Sequence, residues 1–181
     1  MKKKLSRYYV LGLLALMFAA PGIAALIFYQ HPSWLGASKV NKGTLLNPPI
    51  VWNALNSKEA KWRIVFWNPQ ACDELCLKRV NMLARVRLAL GRKLYQVEQS
   101  LVLSSDAIPL SDTVKAILKE QDFHVMYLSQ QLAKPLNATE PQIFIANPEN
   151  YLILAYKPQV NPEDIYKDLK LLLNTAEQKS G

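Results

Sequence analysis

The chain has 181 residues, half of them apolar, and a formal net charge of +8. Lys2, Lys3, Lys4 and Arg7 supply four of its 22 basic side chains and none of its 14 acidic ones, so residues 30–181 carry only 18 basic against 14 acidic groups. That balance is too mild for a nucleic-acid binder. Two cysteines are too few for a disulfide-stapled framework, and two distant histidines without a phosphate loop or zinc spacing exclude the common triad, nucleotide and zinc chemistries.

Residues 8–29 contain no charged side chain and are mostly Leu, Ala, Ile, Val, Phe and Met. A helix crossing the hydrocarbon core needs ~20 apolar residues at ~1.5 Å each. Tyr8 and Tyr9 at one end, and Tyr29 and Trp34 at the other, are rings that settle at headgroup level. Pro21-Gly22 lies inside the span, as membrane helices tolerate. A cleaved signal peptide is the rival reading, with a charged start and small residues around Ala19-Ala20 and Ala24-Ala25. A signal's apolar region, however, runs only ~7–15 residues. Residues 1–7 are therefore expected to be a basic cytoplasmic N-terminus and residues 8–29 an uncleaved transmembrane helix. The positive flank stays inside, so the remainder is expected beyond the inner membrane. That is the periplasm in a bacterium and the intermembrane space in a mitochondrion.

Residues 30–49, with His31-Pro32, Gly36, Gly43 and Pro48-Pro49 and no periodicity, read as a tether. Residues 50–177 are expected to form one compact domain. Ile50-Val51-Trp52 reads as a short first strand. Residues 62–67 are β-branched and aromatic and stop at Asn68-Pro69, as a buried strand does. Residues 75–94 place Val80, Leu83, Ala84 and Leu88 at helical spacing, with Gly91 near the end. Lys78, Arg79, Arg85, Arg87, Arg92 and Lys93 read as its solvated face. Residues 97–103 form the next strand. Ser111 caps a helix to Gln121, with Val114, Ile117 and Leu118 inward. Residues 125–128 are a further strand. Residues 143–146, a turn at Asn147-Pro148-Glu149-Asn150, and residues 151–156 read as a hairpin. Asn161 opens a last helix with Pro162 at its first position, and Ile165, Leu169 and Leu172 form its apolar stripe. The early strand–helix–strand unit implies a parallel crossover, and the hairpin adds antiparallel strands. An α/β fold follows: a mixed sheet with helices on both faces, preceded by one transmembrane helix.

Cys72 and Cys76 fall between the buried strand and the first amphipathic helix. Thiols at i and i+4 meet on one face of a helical turn. A disulfide closing so short a loop removes little chain entropy, so the pair needs another reason to exist. Free amides and the macrodipole at the helix start stabilise a thiolate. Asp73 and Glu74, favoured there by the same dipole, push the other way. Two soft sulfurs at such a junction can cycle as a disulfide or bind an ion such as Cu(I).

Phe66-Trp67, Cys72-Asp73-Glu74-Leu75-Cys76 and the run Ile143-Phe144-Ile145-Ala146-Asn147-Pro148-Glu149-Asn150 resemble the thioredoxin-like domains of the SCO group, with a Pro-Asp-Gly-like bend in the last segment. The resemblance covers about residues 44–175. It is similar in particular to a divergent branch of small proteobacterial transmembrane proteins, often encoded near cytochrome oxidase genes. The SCO proteins are membrane-anchored copper and thiol proteins that help assemble the copper centre of cytochrome c oxidase. The resemblance implies a thioredoxin-like fold, copper at Cys72 and Cys76, and a copper-bearing oxidase subunit as partner. Two departures stand out. The usual SCO motif is Cys-Pro-Asp-x-Cys-Pro, whereas here Asp73 and Leu77 stand in the proline positions. The family's third copper ligand, a histidine before the late strand, has no counterpart in residues 135–142. His124 lies too early in the chain and reads as a polar strand-edge residue, His31 as part of the tether, and Met82 and Met126 as core. Pro141 occupies the place of the family's cis-proline, and an ordinary strand-edge proline is the competing reading.

Three functions follow. The first is an assembly factor that keeps copper-site cysteines reduced or hands over Cu(I). The second is a general thiol–disulfide oxidoreductase, although the usual motif has two intervening residues rather than three. The third is a binding scaffold with a structural disulfide. For exchange chemistry, Cys72 is expected to be the exposed attacking thiol and Cys76 the resolving one.

Overall fold

The structure, a computed structural model, describes residues 2–30, 41–52, 60–136 and 139–180. The chain divides into two units, Met1–Val40 and Asn41–Gly181. The first contains helix α1, Lys2–Gln30, with Pro21 inside it. Its stretch Tyr8–Gln30 is long and apolar enough to cross a membrane and fits a single-pass anchor. His31, Trp34 and the rest of residues 31–40, expected in the tether, lie outside the described residues.

The second unit runs β1 (Thr44–Val51), β2 (Trp62–Asn68), α2 (Glu74–Ala89), a 3-10 segment (Gly91–Gln96), β3 (Val97–Ser104) and α3 (Asp112–Glu120). It continues with β4 (Phe123–Leu128), α4 (Gln130–Ala133) with a 3-10 turn (Lys134–Leu136), β5 (Gln142–Ala146), β6 (Tyr151–Tyr156) and α5 (Pro162–Ser180). The strands form one sheet in the order β1-β6-β5-β2-β3-β4. β2, β3 and β4 are mutually parallel, while β5, β6 and β1 join antiparallel. The mixed α/β sheet with flanking helices is as expected.

β2 shows why the sheet is central. Ile64 and Phe66 point to one face and Val65 and Trp67 to the other, and all four are buried. Ile64 and Phe66 join a cluster with α2, α3 and α5, through Val80, Leu83, Leu118, Ile165, Leu169 and Leu173. Val65 and Trp67 join a second cluster with Trp52, Val102, Phe144, Leu152 and Leu136. The faces are covered unequally. Among the described residues, three helices pack on one, and α4 with its 3-10 turn contributes the helical cover of the other.

Local chemistry moves several boundaries from their expected places. Residues 44–49, expected in the tether, are strand. Pro48 and Pro49 lack the N–H that a central strand requires, but β1 is an edge strand, where proline is tolerated. Its pairing with β6 jumps from Leu45↔Leu154 to Ile50↔Leu152, so the prolines fall in an irregularity of the ladder. α2 stops at Ala89 rather than continuing to residue 94, because Gly91 adopts φ 60° and turns the chain into the 3-10 segment. β4 begins at Phe123, directly after Asp122 at φ 59°. The β5–β6 turn is held by Asn147, whose Oδ1 accepts from Glu149 N at 3.1 Å and Tyr151 N at 2.8 Å. Asn150 closes it at φ 66°, the position a glycine would take in a Pro-Asp-Gly bend.

The chain enters the domain through a buried carboxylate. Asp168 of α5 is 2% exposed. It accepts from the backbone N–H groups of Lys42, at 2.9 and 2.8 Å, and of Gly43, at 2.8 Å, and from the Tyr156 hydroxyl at 2.7 Å. A Cβ on Gly43 would come within 2.6 Å of the Tyr156 ring. Burial, and then the hydrogen bond to Asp168, raise the Tyr156 phenol far above its ordinary value, so it stays neutral.

Candidate functional site

β2 ends at Asn68, and the loop from Pro69 to Asp73 carries the chain to α2. Asn68 is buried, and its side-chain amide donates to Ala71 O at 3.2 Å, which holds the loop across its base. Asp73 N donates to Ala71 O at 3.0 Å. Asp73 is the N-cap of α2: its backbone O accepts from Leu77 N at 3.0 Å and its Oδ1 accepts from Cys76 N at 2.8 Å.

Cys72 and Cys76 are joined in a disulfide with Cα atoms 5.1 Å apart, inside the range a bridge requires. Cys72 precedes the cap and is half-buried, whereas Cys76 lies in the first turn and is 1% exposed. The two residues are therefore unequal in burial, Cys72 being the more exposed. Cys76 packs in the cluster shared by α2, α3 and α5, and Cys72 packs against it. The two flanking carboxylates are also unequal. Glu74 pairs with Lys78 at 2.8 Å, one helical turn on, while Asp73 is committed to the Cys76 amide. The helix start offers a thiolate less than the sequence alone implies, because one of its free amides is already taken.

Among the described residues, the other candidate ligands are not brought to the pair. His124 is exposed on β4, opposite Ser100, which in turn pairs with Val65. The end of β2 is two strand spacings of ~4.8 Å and three steps of ~3.3 Å away. His124 also alternates with Phe123 and Val125, which pack with Cys76, so it faces the other side of the sheet. Met126 packs against the second cluster. Met82 lines a cleft of about 540 Å³ between α2 and the start of α5, beside Arg85, Val86 and Tyr166. Pro141 directly precedes β5, whose ladder starts at Trp67↔Gln142. Its peptide bond is trans, and the cis bond among the described residues is Asn47-Pro48. Pro141 is thus the ordinary strand-edge proline, placed where no ladder N–H is missed.

No group of three or more His, Cys, Asp or Glu side chains fit to hold a metal ion occurs among the described residues. The expected copper ligands, Cys72 and Cys76, stand as a pair with no further such side chain grouped with them among the described residues. Two sulfurs suit a soft ion such as Cu(I) once reduced, and no third donor of the SCO pattern joins them among the described residues.

Residues 62–176 match the family of transmembrane-like proteins with a thioredoxin-like C-terminal domain, and the chain belongs to that family. The fold is thioredoxin-like, with the cysteine pair at the β2–α2 junction. The curated proteins offer no match to the sequence. Among solved structures, a thiol:disulfide interchange protein from Bacteroides sp. is similar at 16% identity and TM-score 0.44, over 63% of this chain and 74% of that one. Copper-bound ScoI of Bradyrhizobium japonicum is similar at 18% identity and TM-score 0.43, over 62% and 85%. Copper-bound ScoI of Arabidopsis thaliana is similar at 13% and 0.46, over 62% and 86%. The family assignment rests on the sequence match.

Proposed function

We propose that this chain is a membrane-tethered thiol–disulfide reductant, with its domain on the far side of the membrane from the basic N-terminus. The observation that carries the reading is the asymmetric pair: a more exposed Cys72 bonded to a buried Cys76 at a strand-to-helix junction. In the reduced protein, the Cys72 thiolate attacks one sulfur of a partner disulfide. A mixed disulfide forms and one partner thiolate leaves. Cys76 then loses its proton to water and attacks the Cys72 sulfur, and the second partner thiolate leaves. Two electrons have passed to the partner, and Cys72–Cys76 is oxidised. A dithiol donor protein reduces it again.

The partner class we propose is an exported or membrane protein whose cysteines must be reduced to receive a metal. The copper-bearing subunit of cytochrome c oxidase is the instance supported by the SCO resemblance. Confinement by α1 supports a membrane partner, since tethering raises effective concentration. A second reading, Cu(I) carried as cargo, is favoured by two soft sulfurs held on one helical turn.

A Cys76→Ser variant tests the exchange reading, because it should trap a mixed disulfide through Cys72. If cells expressing it accumulate no Cys72-linked partner, the reading fails. Copper titration of the reduced chain, against a Cys72→Ser/Cys76→Ser control, tests the cargo reading. Equal affinity in both ends it. A reporter fused after Gln30 tests orientation, and a cytoplasmic signal refutes it.

A further inference from the structure

We propose that Asp73 is a positioning residue that poises the Cys72–Cys76 pair as a reductant. The inference rests on the exchange reading for its purpose, but on geometry for its substance. Asp73 lies between the two cysteines in sequence and caps α2, and its Oδ1 holds the Cys76 N–H at 2.8 Å. A thiolate formed at Cys72, next to the cap, meets two obstacles. A donor at the helix start, the Cys76 amide, is already engaged by a full negative charge. That charge itself sits one residue away and disfavours a second anion.

On α2 the next charged groups are Glu74, Lys78 and Arg79, the last half-buried three residues after Cys76. Glu74 is neutralised by Lys78 at 2.8 Å on the same helix face. The β3–α3 loop contributes Ala107 and Leu110 to the cluster that holds Cys76, and its one charged side chain, Asp106, accepts from Gln130 Nε2 at 2.9 Å. Glu140, before β5, and Lys157, after β6, are exposed to solvent.

The chemical consequence has a definite sign. A dithiol whose thiolate is stabilised is a good leaving pair, and its disulfide is a strong oxidant. Destabilising the thiolate reverses this. The oxidised form becomes the preferred end point, and electrons flow outward to the partner. A less stabilised thiolate is also intrinsically more nucleophilic. Asp73 therefore does two jobs with one carboxylate, closing the helix and holding the pair reducing. Proline, found at this position in the SCO pattern, has no side-chain oxygen to do either.

The experiment uses the full chain in detergent micelles, equilibrated in glutathione buffers and in dithiothreitol. The reduced fraction is read by thiol alkylation, and the pH at which thiolate forms by alkylation rate. Asp73→Asn and Asp73→Ser keep a capping oxygen of similar quality and remove the charge. Both are expected to shift the equilibrium about tenfold toward the dithiol, about 30 mV for a two-electron couple, and to form thiolate at lower pH. Asp73→Glu keeps the charge and weakens the cap; it should stay within about twofold of wild type in the redox equilibrium while melting lower. Equal constants for wild type, Asp73→Asn and Asp73→Ser overturn the assignment, leaving Asp73 a cap alone. Reduction of a protein disulfide by the wild-type chain is measured alongside. Its failure would refute the exchange function, whereas the ratio between variants reports on Asp73 by itself.

Discussion

Asp73 and Asp168 both accept hydrogen bonds from backbone amides, and their surroundings give them opposite work. Asp73 is exposed at the start of α2 and holds one amide, that of Cys76. Asp168 is buried in α5 and holds the amides of Lys42 and Gly43 and the hydroxyl of Tyr156. At the exposed site water can partly replace a lost partner, so the bond contributes only the roughly 1 kcal/mol of an ordinary helix cap, and its charge acts on the neighbouring sulfurs. At the buried site nothing replaces the partner, so the same chemistry fixes where the chain enters the domain. Stability is expected to reside in Asp168 and redox poise in Asp73.

The largest effect should follow from Asp168→Ala, which strands the Gly43 amide and the Tyr156 phenol in the interior and releases the Lys42 amide at its edge. Hydrogen bonds to charged groups contribute about 1.5–3 kcal/mol each, and removal of their common acceptor should cost about 3 kcal/mol or more. Urea unfolding of the full chain in detergent, followed by tryptophan fluorescence, measures it. A loss below about 1 kcal/mol would show that this latch is dispensable and would break the contrast. Gly43→Ala probes the same latch from the backbone side. Its Cβ would meet the Tyr156 ring at 2.6 Å, so ring or chain must shift. Overpacking of this kind costs about 1–3 kcal/mol, and the Cys72–Cys76 equilibrium should not move.

The two carboxylates also differed in how far they could be read from the sequence. Asp73 stands beside the cysteines in the chain, and its position at a helix start was visible from the apolar spacing that follows. That it would commit its Oδ1 to Cys76 was not, because capping depends on the backbone angles of one residue. Asp168 gave no signal at all: its partners at Lys42 and Gly43 lie 126 and 125 residues away. The same division runs through the fold. β2, the β5–β6 hairpin and the start of α5 carry strong local patterns, namely β-branched runs, an Asn-Pro turn and Pro162 at a first helical position. The start of β1 reads as tether because Pro48, Pro49 and Gly43 are loop residues in isolation, and only an edge position and a buried carboxylate make them structural. α2 ends short of its sequence pattern because the basic, amphipathic spacing continues past the point where Gly91 turns the backbone. The cis expectation at Pro141 came from likeness to a family, and nothing in the local sequence required it.

Tyr156→Phe should cost about 1 kcal/mol, the loss of one donor to Asp168. It also carries a pH signature. The folded phenol is held neutral well above the ordinary value of 10.0, while the unfolded one ionises there. The stabilisation is therefore full below pH 10 and declines as pH rises beyond it, since the unfolded state then releases a proton that the folded state keeps. The phenylalanine variant should lack this decline. Parallel stability curves for the two proteins between pH 8 and 11 would show that the phenol is not shielded as its burial implies.

The smallest effect should come from the carboxylate next to Asp73. Glu74 and Lys78 are paired at 2.8 Å, but both are largely in water, at 82% and 67% exposure. Such i,i+4 pairs contribute about 0.3–0.5 kcal/mol, and salt screens them. Glu74→Gln is therefore expected to change stability by less than about 0.5 kcal/mol. Its redox effect should also be small, because the charge removed is balanced by Lys78, and the Cys76 amide is held by Asp73. This variant sharpens the comparison more than its size implies. If Glu74→Gln shifted the thiol–disulfide equilibrium as far as Asp73→Asn, total negative charge at the helix start would be the cause. If it leaves the equilibrium in place, the effect belongs to the one carboxylate bonded between the two cysteines.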